Sequence, residues 1–408
     1  MTTAAFKGSL ALLILVAEGA AASSDWPRWL GPSQNGFTAA DGALSRATPR
    51  LRKAWRRPIG GGRSGMVVAD GRLFALVTDG ETQSVLALRA TDGSELWQVP
   101  LGPHDGESMA PVSTPAVDGG KVFAIGTDCI LRALVATSGE RVFEVDLKKR
   151  FGSSLRRGCE SSPFVENGRV VLQPGGAEDN RLVALDARTG DLVWSAKGTG
   201  AANYSSPVAA ELSGVRQVVV HHVTMEAPQR SGLAAFRMED GTLLWSRTFP
   251  ANVSTETPLV MPPDRVLLVT WNDAKLARIK RVGETMEVET LWDKPVLRSR
   301  ISPPVYRDGH IYGLNGDDLV CLRAETGDVV WKQRTYAGSL IMVDDTLVLL
   351  SANAGLLRVV EATPNGFREK AQIEVLNRGA QTEAPPAFAN GLIFVRNDEE
   401  IAAIRIER

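Results

Sequence analysis

Four histidines are the first residues to consider as ligands or as acid–base groups: His104, His221, His222 and His310. Their spacing matches no zinc-binding signature. The pair His221-His222 lies inside an apolar stretch that reads as a strand, so we expect one of the two rings to be buried. The histidines therefore predict neither a zinc site nor a catalytic base.

The cysteines and paired serines offer no clear nucleophile. The chain has three cysteines, Cys129, Cys159 and Cys321. Because the number is odd, they cannot all be paired in intramolecular disulfides. None has a second cysteine close enough in sequence for a metal site, so we expect all three to be small buried side chains. The pairs Ser161-Ser162 and Ser205-Ser206 recur as part of a repeat, which argues for a structural role. No glycine-rich loop followed by a helix is present to bind phosphate.

An internal sequence repeat predicts the strands and turns in which these residues lie. One copy runs from Ser161-Ser162-Pro163 through Asn167-Gly168 to a closing segment Leu182-Val183-Ala184-Leu185-Asp186-Ala187, followed by Thr189-Gly190 and Trp194. Short runs of Val, Ile, Leu and Phe alternate with Asp-Gly, Asn-Gly and Thr-Gly turns, which predicts four antiparallel strands per copy. The copies recur at the roughly 40–50 residues that are typical of propeller blades. Two further copies are degraded, and they end at Trp292 and near Gly366-Phe367.

The last copy stops before its fourth strand. It opens at Pro386-Ala387-Phe388 and ends after Ala403-Ile404, whereas Leu51–Arg56 offers an unassigned strand near the other end of the chain. We therefore predict an all-β, eight-bladed propeller that is closed by this N-terminal strand beside residues 386–406, which removes an exposed sheet edge. A seven-bladed ring with a separate terminal strand is the main alternative.

The N-terminal residues indicate the domain boundaries and the compartment, and the net charge limits the classes of partner. Lys7, the apolar run Leu10–Val16 and the small residues Ala20-Ala21-Ala22 predict a signal peptide over residues 1–22. An extension over 23–49 and a propeller over 50–408 follow. No cysteine follows the apolar run, so we expect no lipid anchor there, and no segment is predicted to cross a membrane. With a net charge of −1, nucleic acid and anionic membranes are not expected as partners. We expect an exported monomer, periplasmic or extracellular.

The segment Leu-Val-Ala-Leu-Asp-Ala-x-Thr-Gly-x-x-x-Trp at 182–194 resembles the repeat of pyrroloquinoline quinone (PQQ) propellers. That superfamily includes quinoprotein alcohol dehydrogenases and a non-catalytic outer-membrane assembly lipoprotein. The segment Asp25–Pro32, with Gly36, is similar to one that is common in exported bacterial members. The resemblance covers roughly residues 25–406 and implies that one aromatic residue per blade docks against the next blade. These predicted docking residues are Trp55, Trp97, Phe143, Trp194, Trp245 and Trp331.

The resemblance also implies a site for PQQ and Ca²⁺ over the central axis, with an Asp as general base. Gly175-Gly176-Ala177-Glu178 resembles the stretch that carries one calcium-ligating Glu. The next blade, however, lacks the family's Asn-containing segment, and no match to the segment with the catalytic Asp is present. An adjacent cysteine pair and a haem attachment motif are also missing. We expect no catalytic residue, and Glu178 is more simply a solvated turn residue.

Binding is instead expected at the end of the central channel, where loops meet the axis. Alignment on the Ser-x-Pro part of the repeat places a set of polar side chains just before the first strand of several blades. These are Arg63, Glu160, Asn203, Tyr204, Glu256, Arg300 and Glu383. A mixed ring of charge could hold a polar ligand or a peptide, or could form structural ion pairs.

These expectations leave three functions open. The first is an exported, non-catalytic binding or scaffold propeller that contacts another exported protein or a small polar ligand. The second is a diverged PQQ- and Ca²⁺-dependent dehydrogenase of alcohols or sugars, with Glu178 as a metal ligand. The third is a carbohydrate-binding propeller that uses exposed Trp26, Trp29 or Trp271.

Overall fold

Eight blades of four antiparallel strands each form a closed ring in the computed structural model, and one blade gains a fifth strand. The ring confirms the predicted eight-bladed propeller and excludes the seven-bladed alternative. The structure describes residues 25–407 except 41, 43, 46–47, 105–110, 154–158, 176–181, 198–204, 224–227, 251–255 and 300–301. The predicted signal peptide therefore lies outside the described residues.

Within each blade the chain runs outward from the axis, strand by strand. The first four blades comprise Val67–Ala69, Arg72–Thr78, Thr82–Arg89 and Glu95–Pro103; Ala116–Asp118, Lys121–Ile125, Ile130–Val135 and Arg141–Asp146; Phe164–Glu166, Arg169–Leu172, Leu182–Asp186 and Leu192–Ala196; and Val208–Leu212, Val215–His222, Gly232–Arg237 and Leu243–Thr248.

The remaining blades follow the same order. They comprise Leu259–Met261, Arg265–Val269, Ala274–Val282 and Thr285–Lys294; Val305–Arg307, His310–Asn315, Asp318–Arg323 and Val329–Arg334; Ala337–Val343, Thr346–Ser351, Leu356–Glu361 and Glu369–Glu374; and Ala387–Ala389, Leu392–Arg396, Glu400–Glu407 and Arg50–Pro58. The short strand Phe37–Thr38 pairs in parallel with the inner strand of blade 7. The described helices are Leu147–Phe151 and the 3₁₀ turn Pro228–Arg230.

Ring closure occurs where it was predicted. Arg50–Pro58 pairs antiparallel with Glu400–Glu407, so the outer strand of blade 8 comes from the N-terminal part of the chain. Arg396 reinforces the joint between blades 8 and 1. Its fully buried guanidinium donates to the carbonyl oxygens of Ser64 and Leu76 in blade 1, at 3.3 and 2.9 Å.

Each outer strand carries a bulge at the position of its docking residue. Trp194, for example, lies opposite Ala184, and the register then shifts. In blade 7 the docking position is occupied by Ala371. Phe367, which the sequence placed near the end of that unit, instead meets the ring of Trp331 edge-on, with 6.3 Å between centroids.

Docking rests on a close ring contact, and in several blades a hydrogen bond from the indole to the next blade adds to it. Trp97 Nε1 donates to the carbonyl of Ala136 in the next blade at 3.2 Å, and Trp55 does the same to Ala90 at 2.9 Å. The rings cover the glycine of the neighbouring Thr-Gly-type turn. A Cβ built on Gly241 would lie 2.6 Å from the Trp194 ring. A turn glycine at this point is therefore needed for space as well as for conformation.

Substitution of Gly241 and of Gly214 by alanine separates these two requirements. Both residues have a positive φ, 73° and 76°, but nothing lies within 4 Å of a Cβ at Gly214. We expect Gly214→Ala to cost about 1–2 kcal/mol through backbone strain, and Gly241→Ala to cost about 1–3 kcal/mol more through overlap with Trp194. Urea unfolding of the two variants measures the difference, and equal losses would contradict the docking role of the glycine.

Candidate functional site

The two ends of the propeller differ because the strands alternate in direction. Turns between the first and second strands, and between the third and fourth, lie at one end, here called the turn end. Connections between the second and third strands, and from blade to blade, lie at the opposite end, here called the loop end. The polar residues predicted near the axis that the structure describes are Arg63, Glu160, Glu256 and Glu383. Each precedes a first strand, so they belong to the loop end.

Residues 25–38, here called the axial plug, approach the axis from the turn end. The backbones of Trp26 and Val68 in blade 1 exchange two hydrogen bonds, of 2.9 and 2.8 Å. Across the ring, the side-chain amide of Gln34 donates to Pro207 O and accepts from Ala209 N in blade 4. The plug then continues as Phe37–Thr38, which extends blade 7. Sequence periodicity could not reveal this plug, because it lies outside the repeats.

Trp29 spans the channel itself. Its Nε1 donates to Thr257 Oγ1 of blade 5 at 2.9 Å. The other side of its ring lies 3.3 Å from the position of a Cβ on Gly65 in blade 1. Blades 1 and 5 are opposite each other in an eight-membered ring, so this indole lies across the axis. The plug therefore occupies the axis from the turn end.

A belt of hydrogen bonds encircles part of the channel at the level of Trp29. In each step a backbone N–H of one blade donates to the side-chain hydroxyl at the same repeat position in the next blade. The steps are Gly65 to Thr114, Thr114 to Ser162, Ser162 to Ser206 and Ser206 to Thr257, at 2.8, 2.9, 2.9 and 3.3 Å. Ser162 and Ser206 are thus occupied as structural acceptors, as their recurrence in the sequence indicated.

Two of the predicted loop-end residues meet directly. Arg63 Nη1 lies 3.1 Å from Glu383 Oε2, and Arg63 Nη2 donates to Gln381 Oε1 at 2.7 Å. Both charged side chains are partly exposed, so the pair joins blades 1 and 8 at the surface. Glu160 is also partly exposed, whereas Asn203, Tyr204 and Arg300 lie outside the described residues, as does Glu178.

Glu256 does not line the open mouth as the sequence alignment suggested. Its side chain is fully buried. At this repeat position side chains turn toward a neighbouring strand or blade: the Ser113 hydroxyl, for instance, donates to Ser161 O. Burial raises the pKa of the Glu256 carboxyl to about 8, and the Ser299 side chain and the Ser302 backbone oppose the rise. Glu256 is therefore a protonated interior residue near neutral pH.

His221 is buried beside Glu256, which agrees with the expectation for one of the paired histidines. Burial lowers its pKa to about 3, the neighbouring His222 adds to the shift, and the backbone of Glu256 opposes it. A histidine that stays neutral throughout the physiological range is not a pH sensor. His221 is thus a neutral interior residue near the backbone of Glu256.

All three cysteines are buried, as predicted, but the sequence did not predict that two of them are bonded to each other. Cys129 and Cys159 form a disulfide, with their Cα atoms 5.1 Å apart. Cys129 lies in the turn between the second and third strands of blade 2, and Cys159 in the connection to blade 3. An odd number of cysteines still allows one disulfide. The two residues are 30 positions apart in sequence, and only the geometry of the blade brings them together. Cys321 is free and buried, as expected.

The tryptophans proposed for carbohydrate stacking differ in exposure. Trp26 is 2% exposed, because the plug is pressed against blade 1 and Gly31 lies beneath its ring. Trp29 is committed to Thr257. Trp271, in a turn at the loop end of blade 5, is 40% exposed. The plug tryptophans are therefore structural in this fold.

Replacement of Glu256 by glutamine tests the buried neutral carboxyl. A pKa raised in the folded state means that wild-type stability is fully present below about pH 4.5 and declines as the pH rises toward 8. The variant has no ionisable side chain at position 256. We therefore expect its free energy of unfolding to exceed that of wild type by a few kcal/mol above pH 8 and to be similar to it at pH 5. Urea unfolding between these pH values measures the effect, with exposed Glu284→Gln as the control. Parallel profiles of variant and wild type would contradict the assignment.

Sequence comparison relates the chain to two kinds of protein. It is 23% identical over 301 residues to the outer membrane protein assembly factor BamB of Moranella endobia, and the match covers 73% of this chain and 72% of the relative. It is also 27% identical over 265 residues to the dehydrogenase subunit of the quinone alcohol dehydrogenase of Komagataeibacter europaeus. That match covers 58% of this chain but 34% of the relative.

Comparison with solved structures gives the same fold. The quinohemoprotein alcohol dehydrogenase of Comamonas testosteroni superposes with a TM-score of 0.73 at 13% identity, over 94% of this chain and 81% of that one. The family model described as outer membrane protein assembly factor BamB matches residues 81–333 and 277–408. The repeats, the closed ring and these matches together show that the chain belongs to this family of PQQ-type repeat propellers.

Proposed function

We propose that this protein is an exported, non-catalytic binding or scaffold propeller whose loop end contacts a protein partner or a small polar ligand. The observation that carries the proposal is how the polar groups near the axis are used. Arg63 is paired with Glu383, Glu256 is buried and protonated near neutral pH, and the serines of the belt accept backbone hydrogen bonds. Such groups stabilise a rigid platform and leave no described acid–base pair at the mouth.

Two features support export. The disulfide Cys129–Cys159 is of a kind that persists in oxidising compartments outside the cytoplasm. The predicted signal peptide over residues 1–22 agrees with this location. No helix in the described part of the chain is long and apolar enough to span a membrane. We therefore place the protein in the periplasm or the external medium.

The relatives support a protein partner in particular. Several are named outer membrane protein assembly factors, and matches to these relatives include spans of more than 70% of both chains. We extend the general role of such a factor, contact with other proteins, to this chain. The partner itself is defined here only by the surface that would receive it.

A quinone-dependent dehydrogenase is the second candidate, and it is favoured by the match to the alcohol dehydrogenase subunits. Calcium that accompanies PQQ needs several hard oxygen ligands. Among the described residues, no three His, Cys, Asp or Glu side chains are grouped so as to hold a metal ion. Arg63 also pairs with the loop-end carboxylate of Glu383, so this carboxylate is already neutralised by a cation of the protein itself.

Titration with PQQ and Ca²⁺ distinguishes the two candidates. We expect no saturable change in PQQ absorbance or fluorescence, and no reduction of an artificial electron acceptor with ethanol or glucose. The Glu178→Ala variant serves as the matched control and should behave as wild type. Saturable binding that Glu178→Ala abolishes, accompanied by turnover, would replace the scaffold proposal with the dehydrogenase.

Site-specific photo-crosslinking tests the binding role directly. A photoreactive residue at position 381, beside Arg63 at the loop end, should give discrete protein adducts in the native host compartment. The same residue at position 287, in the outer strand of blade 5, should give few. Equal labelling at both positions would contradict a partner at the loop end.

A further inference from the structure

The closing strand Arg50–Pro58 is unusually basic for the outer strand of a blade. Five of its nine residues are arginine or lysine, and none is acidic. The outer strands of the other seven blades have net charges between −2 and +2. The positive charge is therefore a property of this one strand, in a chain whose net charge is −1.

Arg50–Pro58 is also a long edge strand. It pairs with Glu400–Glu407 on one side, and no described strand of blade 8 lies beyond it. Along the outward side of such a strand, the backbone N–H and C=O groups have no ladder partner. The strand has nine residues, against five or six in the outer strands of five other blades. It therefore offers an incoming strand more groups to pair with than those edges do.

The two faces of the strand have different surroundings. Leu51 and Trp55 pack against the core. Arg50 and Arg52 are exposed on the opposite face, because alternate residues of a strand point to opposite sides. Lys53 is exposed just before the bulge at which the register shifts. Exposed cations thus lie along the outer edge in the first half of the strand.

Neighbouring carboxylates pair with the basic residues of the second half. Arg56 Nε lies 2.5 Å from Glu400 Oε2 in the adjacent strand, and Arg57 Nη2 lies 3.2 Å from Glu95 Oε2 of blade 1. These two arginines therefore contribute to the joints around the closing strand, and their charge is matched within the protein.

The first half of the strand keeps its positive charge. Arg50 and Lys53 are exposed and form no ion pair with any residue that the structure describes. Arg52 Nη1 lies 3.7 Å from Glu407 Oε1, but the Arg52 side chain is 76% exposed, and an exposed pair of this kind contributes little. An excess of local positive charge attracts acidic partners and raises their association rates.

A repulsion between two arginines adds to this excess. Arg52 lies directly opposite Arg405 in the register of the two strands, and both side chains are exposed. Like charges that face each other across a ladder weaken the pairing of the strands. A carboxylate beside Arg52 would reduce the repulsion, so the arrangement favours an anionic partner over an uncharged one.

We propose that the outer edge of Arg50–Pro58 binds an acidic, extended segment of a partner protein, which adds to blade 8 as a fifth strand. Main-chain hydrogen bonds along the edge supply affinity, and the exposed basic side chains select acidic residues in the added strand. This surface lies on the outer side of the ring. The proposal goes beyond the loop-end binding proposed above and does not depend on it.

A protein segment fits this surface better than an anionic membrane does. The large apolar side chains of the strand, Leu51 and Trp55, pack against the core and are not available for insertion into a bilayer. Lipid headgroups also present no regular row of donors and acceptors to match a strand edge. The combination of an open edge with positive charge therefore indicates an extended acidic peptide.

A labelled peptide of about twelve residues, alternating Glu and Thr, is the probe for fluorescence anisotropy with the intact chain. We expect Arg52→Glu/Lys53→Glu to bind it roughly tenfold more weakly than wild type at low salt. The control Lys332→Glu/Arg334→Glu makes the same change in charge at exposed positions in the outer strand of blade 6. Its affinity should fall less than about twofold. Absence of binding to wild type, or equal losses in the two double variants, would overturn the proposal.

Addition as a strand is tested separately from charge by a second peptide. It has the same sequence, but backbone nitrogens on both of its edges are methylated, so that it keeps every carboxylate and cannot form a ladder. We expect its affinity to be lower by about fivefold or more. Equal affinities of the two peptides would overturn the pairing with the edge. The comparison needs only the wild-type protein, so it decides the proposal even where the double variant does not fold.

Two further results would assign the charged edge to another role. Binding of vesicles of phosphatidylglycerol and phosphatidylcholine, without binding of the peptide, would overturn the proposal in favour of a membrane surface. Self-association of Arg52→Glu/Lys53→Glu, again without peptide binding by wild type, would overturn it in favour of protection of the edge from other strands. Adducts from position 381 report on the loop end, so failure of the peptide experiments would leave the scaffold function intact.

Discussion

Closure of the ring by Arg50–Pro58 is the interaction on which the rest of the structure depends. Without this strand, blade 8 has an open edge, and the docking position that Trp55 fills against blade 1 is empty. The buried Arg396 strengthens the same joint, and its guanidinium donates to two carbonyl groups of blade 1. Burial lowers the pKa of Arg396 to about 10, and Asp398 opposes the shift. A buried cation is costly without partners, so its position at the closing joint indicates how tightly that joint is packed.

Two adjacent positions of the repeat have different roles along the channel. Hydroxyl side chains at equivalent positions in blades 2 to 5 form the hydrogen-bonded belt, and the plug inserts Trp29 at the last of them, Thr257. One residue before Thr257, the repeat serine is replaced by Glu256, which becomes a buried carboxyl. The axis is thereby filled with structural contacts from the turn end. The disulfide and the Arg63–Glu383 pair lie among the connections of the opposite, loop end.

Features that repeat along the chain could be predicted, and features that occur once could not. The blade pattern, the number of blades and the closing strand follow from periodic turns and from the strand missing after Ala403-Ile404. The disulfide escaped prediction because its partners come together only through the position of a turn in blade 2. Glu256 was assigned to the mouth because alignment gives the position of a residue along the strand but not the direction of its side chain. The replacement of a docking aromatic by Ala371 was hidden because Phe367 supplies an aromatic nearby.

The location of the closing strand also fixes an order of events during biosynthesis. Leu51 pairs with Ile406, so the strand Arg50–Pro58 is synthesised long before the strand with which it pairs. Gln34 and Trp29 likewise need blades 4 and 5. Contacts between such distant parts of a chain form slowly, since a large loop must close first. A nascent or truncated product would therefore keep its leading segment unpaired and available to chaperones and proteases until the final blade has been completed.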